Sequence, residues 1–334
     1  MRQIQRLISP SQAFAVVLLC AGCTFVLCAQ TPTGSQTQKS LRSETRVSIV
    51  PRVGRPDVKS RFGSISVDSK LVLVPVTVTD PAGKPIVGLS TEAFQIFEDG
   101  SEQRITHFSH EDTPVSVGII FDSSGSMEGK LDKSREALSR LFVASNPGDE
   151  YFLVAFSDRP KLLAGFTPDS SEIQSSLLSI QPKGWTSLHD AIYLSVNHMK
   201  RASNARKALL VLSDGGDNNS RFSHREIKSL LRETDICLYA VGILGPRVTS
   251  GSMKSLAELA EETGGRMFPV GNVNQVPEAI AKITIALHDQ YVLGYTPNNS
   301  ENDGKYRKVK VKVVAPPDSP PLHTSWRPGY YAPF

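Results

Sequence analysis

Cysteine is almost absent from the body of this chain. Three of its four cysteines, Cys20, Cys23 and Cys28, crowd the N-terminal segment, and only Cys237 lies beyond it. One thiol makes neither an internal disulfide nor a Cys-rich zinc site. Cys237 sits in the apolar run Ile236-Cys237-Leu238-Tyr239-Ala240-Val241 and reads as a buried structural thiol. Aromatics are few at 7%, and the net charge of +4 is spread over scattered Lys and Arg. No basic stripe forms, so a nucleic-acid partner is not expected. Past the N-terminal segment, no apolar run is long enough to cross a bilayer. His107, His110, His198, His224, His288 and His323 lack metal-ligand spacing. There is no Gly-x-Ser-x-Gly elbow, no phosphate-binding loop and no Gly-x-Gly-x-x-Gly fingerprint in a suitable context. These absences exclude the common nucleophilic and nucleotide chemistries, and the chain reads as a non-enzyme.

What is present begins with an export signal. Arg2 and Arg6 precede an apolar stretch at residues 13–28, which suits a signal core better than a membrane span. Cleavage is expected near Ala29, so residues 1–29 form a signal peptide. Ala21-Gly22-Cys23 also resembles a lipoprotein signal, with Cys20 where Leu is expected. That leaves lipid anchoring at Cys23, or an uncleaved anchor, as alternatives, and any membrane tether runs through the N-terminus. Residues 30–64 are rich in Thr, Ser, Gln, Pro and Arg without periodicity, and read as a flexible linker.

The rest of the 334 residues suffices for a large core and a second module. Residues 65–112 read as a β unit. Its segments are the β-rich run 71–79, a turn at 80–85, the alternating segment 94–98, a tight Asp99-Gly100 hairpin turn and a further alternating segment at 104–108. Residues 113–288 alternate strand and helix. Strands are expected at 116–121, 151–156, 208–212, 236–243 and 267–270, and helices at 131–144, 172–179, 187–201, 224–233, 252–263 and 276–288. Continuous apolar runs such as Val117-Gly118-Ile119-Ile120-Phe121 suit strands buried on both faces. Alternating βα units predict a doubly wound, mostly parallel sheet. Residues 289–334 return to strand patterning, with Lys308, Lys310 and Lys312 alternating with Val309, Val311 and Val313. These strands are expected to pair with the N-terminal β unit, leaving the α/β part inserted in or flanked by a small β-sandwich.

The chemistry concentrates in Asp122-Ser123-Ser124-Gly125-Ser126-Met127, directly after a buried strand and before a helix. Ligands bind at this end of strands in such sheets. The turn can bring the Asp122 carboxylate and the Ser124 and Ser126 hydroxyls to one side. Thr186, opening a helix, and Asp214, ending another buried strand, complete a set of two carboxylates and three hydroxyls. Such hard oxygen donors favour Mg²⁺, Mn²⁺ or Ca²⁺. The set is sparse in negative charge, so the ion keeps an open position suited to an outside Asp or Glu carboxylate. Asp122 is not read as a phosphoryl acceptor, because Ser124 stands where the second Asp of an Asp-x-Asp pair is needed. His189 reads as a helical surface histidine, and Asp217, Asn218 and Asn219 as a solvated turn.

Asp122-x-Ser124-x-Ser126 with Thr186 and Asp214 resembles the metal-ion-dependent adhesion site (MIDAS) of von Willebrand factor A domains. Asp190-Ala191-Ile192 after the threonine is similar too. The resemblance implies a Rossmann-like fold, with the serines and threonine at the metal and the aspartates often acting through water. The flanks, including Phe94-Gln95-Ile96-Phe97-Glu98-Asp99-Gly100 and Arg327-Pro328-Gly329-Tyr330-Tyr331, resemble a bacterial exported VWFA-related family common in acidobacteria. Trp185 departs from the pattern, which commonly has Gly there. The expected function is an exported, secreted, periplasmic or envelope protein that binds a protein partner's Asp or Glu carboxylate through a divalent cation, Mg²⁺ first. Two other functions stand beside it. One is structural envelope assembly with a stabilising metal. The other is metal-assisted hydrolysis, for which His189 and Asp217 are the nearest bases.

Overall fold

The computed structural model describes residues 71–110, 112–245, 250–315 and 321–334. The expected signal peptide, Cys23, the linker and residues 65–70 lie outside the described residues. All described residues fall within one compact unit. Among them no helix is long and apolar enough to cross a membrane.

The centre is a six-stranded sheet in the order β10-β9-β8-β5-β6-β7. Its members are β5 (Val115–Asp122), β6 (Glu150–Phe156), β7 (Pro160–Thr167), β8 (Arg206–Ser213), β9 (Ile236–Ile243) and β10 (Met267–Val270). All neighbours run parallel except β6 and β7. Every residue of β5 is buried, as its unbroken apolar run requires. One face carries α1 (Leu131–Val143), α2 (Ser170–Leu178) and α6 (Val276–His288), which pack Leu138, Leu141, Ile173 and Ile283 against Val117, Ile119 and Phe121. The other carries α3 (Leu188–Met199), α4 (His224–Arg232) and α5 (Ser250–Glu262), with Ile192, Leu231 and Leu259 against Ile120 and Val211. The helices start where local chemistry says they should. Ser223 and Glu226 form a reciprocal capping box on α4, and Asp169 accepts from Ser171 N at 2.8 Å to cap α2.

Strand β7 was not among the expected elements. It is an edge strand whose pairing with β6 slips register twice, and the consecutive Leu162 and Leu163 are both exposed. Bulges of that kind erase the period of two by which a strand is recognised.

The flanks form two four-stranded sheets, β13-β1-β11-β4 and β14-β12-β2-β3. The strands are β1 (Val72–Thr79), β2 (Phe94–Glu98), β3 (Ser101–Gln103), β4 (Ile105–Ser109), β11 (Tyr291–Tyr295), β12 (Tyr306–Val313), β13 (His323–Trp326) and β14 (Gly329–Tyr331). Their shared core holds Val76, Ile96, Leu293 and Val311. The chain leaves this sandwich from β4 and returns through β11, the antiparallel neighbour of β4. The α/β part is therefore an insertion with adjacent ends. Asp99 (φ 46°) and Gly100 (φ 88°) make the hairpin turn, both in the left-handed region such a turn demands. The strand paired across that turn is β3, however, while β4 crosses into the opposite sheet.

Two buried polar joints hold the assembly. Arg206, at the foot of β8, donates to Leu287 O and to Gln290 Oε1 (3.0 Å), and Gln290 Nε2 donates to Tyr239 OH at 3.1 Å. Glu98, 3% exposed, accepts from Tyr295 OH (2.7 Å) on one sheet and from Tyr330 OH (2.8 Å) on its own. Burial, and then the bond to Glu98, holds both phenols well above the usual tyrosine range. Glu98→Ala would orphan the buried Tyr295 hydroxyl and the part-buried Tyr330 hydroxyl. It is expected to cost about 3 kcal/mol in urea unfolding, and an unchanged midpoint would show that this joint contributes nothing net.

Candidate metal centre

Asp122 is the last residue of the central strand, and its carboxylate is fully buried. Beyond it the chain cannot continue as a strand. Ser124 N donates back to Asp122 Oδ1 at 2.8 Å, closing a tight turn, and residues Gly125–Met127 form one 3-10 turn. Met127, wholly buried, plugs that turn into the core beneath α1.

The turn presents its hydroxyls upward. Ser124 Oγ lies 3.1 Å from Ser126 Oγ, and Ser126 Oγ donates to Asp214 Oδ1 at 2.7 Å. Asp214 directly follows β8, the neighbour of β5. Ser213, just before it, donates its hydroxyl to Asp122 Oδ2. Four of the five residues named from sequence are thus linked in one hydrogen-bonded chain.

Thr186 joins through its backbone. Its loop is tied to the first by Lys183 N donating to Ser123 O (2.8 Å) and Gly125 N donating to Gly184 O (3.1 Å). It is tied to the third by Thr186 N donating to Asn218 Oδ1 (2.8 Å) and Asn218 N donating to Thr186 O (3.0 Å). Gly184 has φ +77°, and a Cβ there would lie 2.6 Å from Asp158 Oδ1, so only glycine fits under this loop. Thr186 itself is buried.

The electrostatics divide the two carboxylates. Among the described residues no Lys, Arg or His pairs with Asp122. Burial pushes its carboxyl up to about 6, against the opposing bonds from Ser124 and Ser213, with the Asp214 charge adding a smaller push in the same direction. Asp214 instead meets the Lys130 ammonium, which reaches back from the start of α1. Lys130 escaped the sequence reading because nothing in its spacing marks it. Ser213 and Asn218 were legible only as neighbours of Asp214.

Among the described residues no three His, Cys, Asp or Glu side chains cluster as metal ligands. A cation here would depend on hydroxyls as well as on Asp122 and Asp214. Those hard donors suit Mg²⁺, Mn²⁺ or Ca²⁺, and the unpaired buried Asp122 is the group such an ion would compensate. The donor set therefore fits a divalent cation.

One expectation for the surroundings is corrected. His189 is buried, not a surface residue, because the 213–222 loop folds over the first turn of α3. Its Nδ1 lies 3.2 Å from Phe222 O, and its backbone N donates to Asp217 Oδ1 at 3.2 Å. The turn at Asp217, Asn218 and Asn219 is solvated, with both asparagines exposed, and within it Asp217 also pins His189 and Asn218 pins Thr186.

The von Willebrand factor type A domain model matches residues 116–282, half of the chain. The chain is 29% identical over 165 residues to human inter-alpha-trypsin inhibitor heavy chain H4, covering 46% of this chain and 18% of that one. It is 24% identical over 197 residues to an uncharacterized protein of Borreliella burgdorferi, covering 52% of this chain and 58% of that one. The chain thus spans less than a fifth of the human relative and under two thirds of the bacterial one. A similar solved structure is mussel byssus proximal thread matrix protein 1 with a zinc-occupied MIDAS motif, at 16% identity and TM-score 0.48, covering 57% of this chain and 49% of that one. With the family model spanning the region from the central strand β5 into α6, this chain belongs to the von Willebrand factor type A domain family.

Proposed function

We propose that this protein is an exported binding module whose three loops hold a divalent cation, Mg²⁺ first, for a protein partner's Asp or Glu carboxylate. The observation that carries the reading is Asp122, a carboxylate buried at the end of the central strand with no cationic side chain paired to it among the described residues. Around it, Ser124, Ser126 and Asp214 are already joined, and Thr186 is buried alongside on an interlocked loop. Asp122 and Asp214 supply charge, while the three hydroxyls supply neutral oxygen. A divalent ion held there offers a Lewis-acidic position to an incoming carboxylate. Export rests on the N-terminal pattern of Arg2, Arg6 and residues 13–28, with cleavage near Ala29. In this scheme residues 1–29 are removed, 30–64 are a spacer, and strands of 65–112 and 289–334 carry the binding domain of 113–288.

His189 Nδ1 lies against Phe222 O and Asp217, and among the described residues no hydrogen bond or ion pair links its ring to Asp122, Ser124, Ser126, Thr186 or Asp214, which favours binding over hydrolysis. The family of the central domain supports the same reading.

In Mg²⁺, wild-type protein is expected to capture its partner from envelope extract. Asp122→Ala, or chelator, abolishes the capture while circular dichroism stays native. Equal capture with and without chelator would refute the proposal. The Lys130 ammonium competes with any cation for Asp214. Lys130→Met is therefore expected to tighten Mn²⁺ binding about tenfold by calorimetry, and an unaltered affinity would mean Lys130 swings away at no cost.

A further inference from the structure

The loop that carries Thr186 also presents a large aromatic side chain to solvent. Trp185 is 64% exposed and, among the described residues, stacks on no other ring and on no cation. The other tryptophan behaves differently. Trp326 packs against the sandwich core and donates Nε1–H to Val309 O at 3.0 Å. A single exposed indole is ordinary on a protein surface, and what sets Trp185 apart is its place on the loop that carries Thr186.

The backbone beneath Trp185 is fixed at every step. Lys183 N donates to Ser123 O, Gly184 O accepts from Gly125 N, and Ser187 N donates to Ser157 O at 2.9 Å. Trp185 N donates to Asp158 Oδ1 at 2.8 Å, and Thr186 N to Asn218 Oδ1. Five consecutive residues are thus pinned to three other segments of the molecule. A rigid aromatic side chain on such a platform loses little conformational freedom on binding, which is the property of interface anchors. Charge points the same way. Lys183, two residues before Trp185, and Arg159, next to Asp158, are exposed and form no ion pair among the described residues. The Asp158 carboxylate also lies here but is taken up by Trp185 N, so the face combines an apolar plate with two unpaired cations against one acid, a balance complementary to an acidic and partly apolar segment.

We infer that Trp185 is the specificity anchor of this face, packing against an apolar or aromatic side chain that neighbours the partner's carboxylate in sequence. The inference rests on the binding function proposed above, with the cation fixing the carboxylate position and Trp185, next to Thr186, reading the adjacent residue. A partner segment of this chemistry pairs Asp or Glu with Leu, Ile, Phe, Tyr or Trp one or two residues away.

Displayed nine-residue peptides with a central Asp, panned on wild type, Trp185→Ala and Trp185→Phe in Mg²⁺ and in EDTA, test it. Wild type is expected to enrich apolar or aromatic residues beside the Asp, in Mg²⁺ alone. Trp185→Ala keeps the metal-dependent choice of Asp, loses the neighbouring preference, and binds a selected peptide about 30-fold more weakly. Trp185→Phe retains most of the preference. The same peptide blue-shifts the emission of wild type but not of Trp185→Phe. An identical neighbour profile on Trp185→Ala, or no apolar preference on wild type, overturns the role of Trp185 while leaving cation-dependent binding intact. Absence of any Mg²⁺-dependent enrichment on wild type instead overturns the binding function, and this inference with it.

Discussion

Asp122 ends a strand that has neighbours on both sides and helices on both faces, and its carboxylate is buried. Burying a charge is expensive unless hydrogen bonds or a counter-charge compensate it. Much of the upper end of the molecule follows from that cost. Ser124 N and the Ser213 hydroxyl turn to the two carboxylate oxygens. Those contacts draw the 122–127 turn against the end of β8, and so bring Ser126 to Asp214. The loop carrying Thr186 then closes over the pair through main-chain bonds at Lys183, Gly184 and Thr186. The same hydrogen bonds that offset the buried charge give three distant segments one fixed geometry.

That geometry needs a rigid base, and the sandwich contributes to it. The insertion begins and ends on adjacent antiparallel strands, β4 and β11, so its termini are held together rather than free to fray. Arg206 and Gln290 tie the foot of the parallel sheet to the returning chain, well away from the cation face. Glu98 bridges the two sandwich sheets from within. Buried polar joints of this sort specify one arrangement because every alternative leaves a donor or acceptor unpaired.

Strand and helix positions in the α/β part were legible because burial on one or both faces writes a period into the chain. Residues 236–243, 267–270 and 276–288 form β9, β10 and α6 with the bounds read from that period. Strand β7 was not legible, since a bulged edge strand with exposed Leu162 and Leu163 has no period to read. The partner of the Asp99-Gly100 hairpin was misassigned for a related reason. Local turn chemistry sets where the chain reverses, but the sheet that a later strand joins depends on its packing partners.

The amino-acid sequence alone determined the family resemblance, the doubly wound fold class and the residue types on each candidate loop. Those properties depend on hydrophobic period and on side chains within a few positions of one another. Only the tertiary structure decided that Lys130 reaches Asp214, that His189 is buried, and that Asn218 fastens Thr186. Each of these is a contact between segments tens of residues apart, whose existence depends on how strands order themselves in the sheet. No local pattern encodes that order, because it is the outcome of burying all the apolar faces at once.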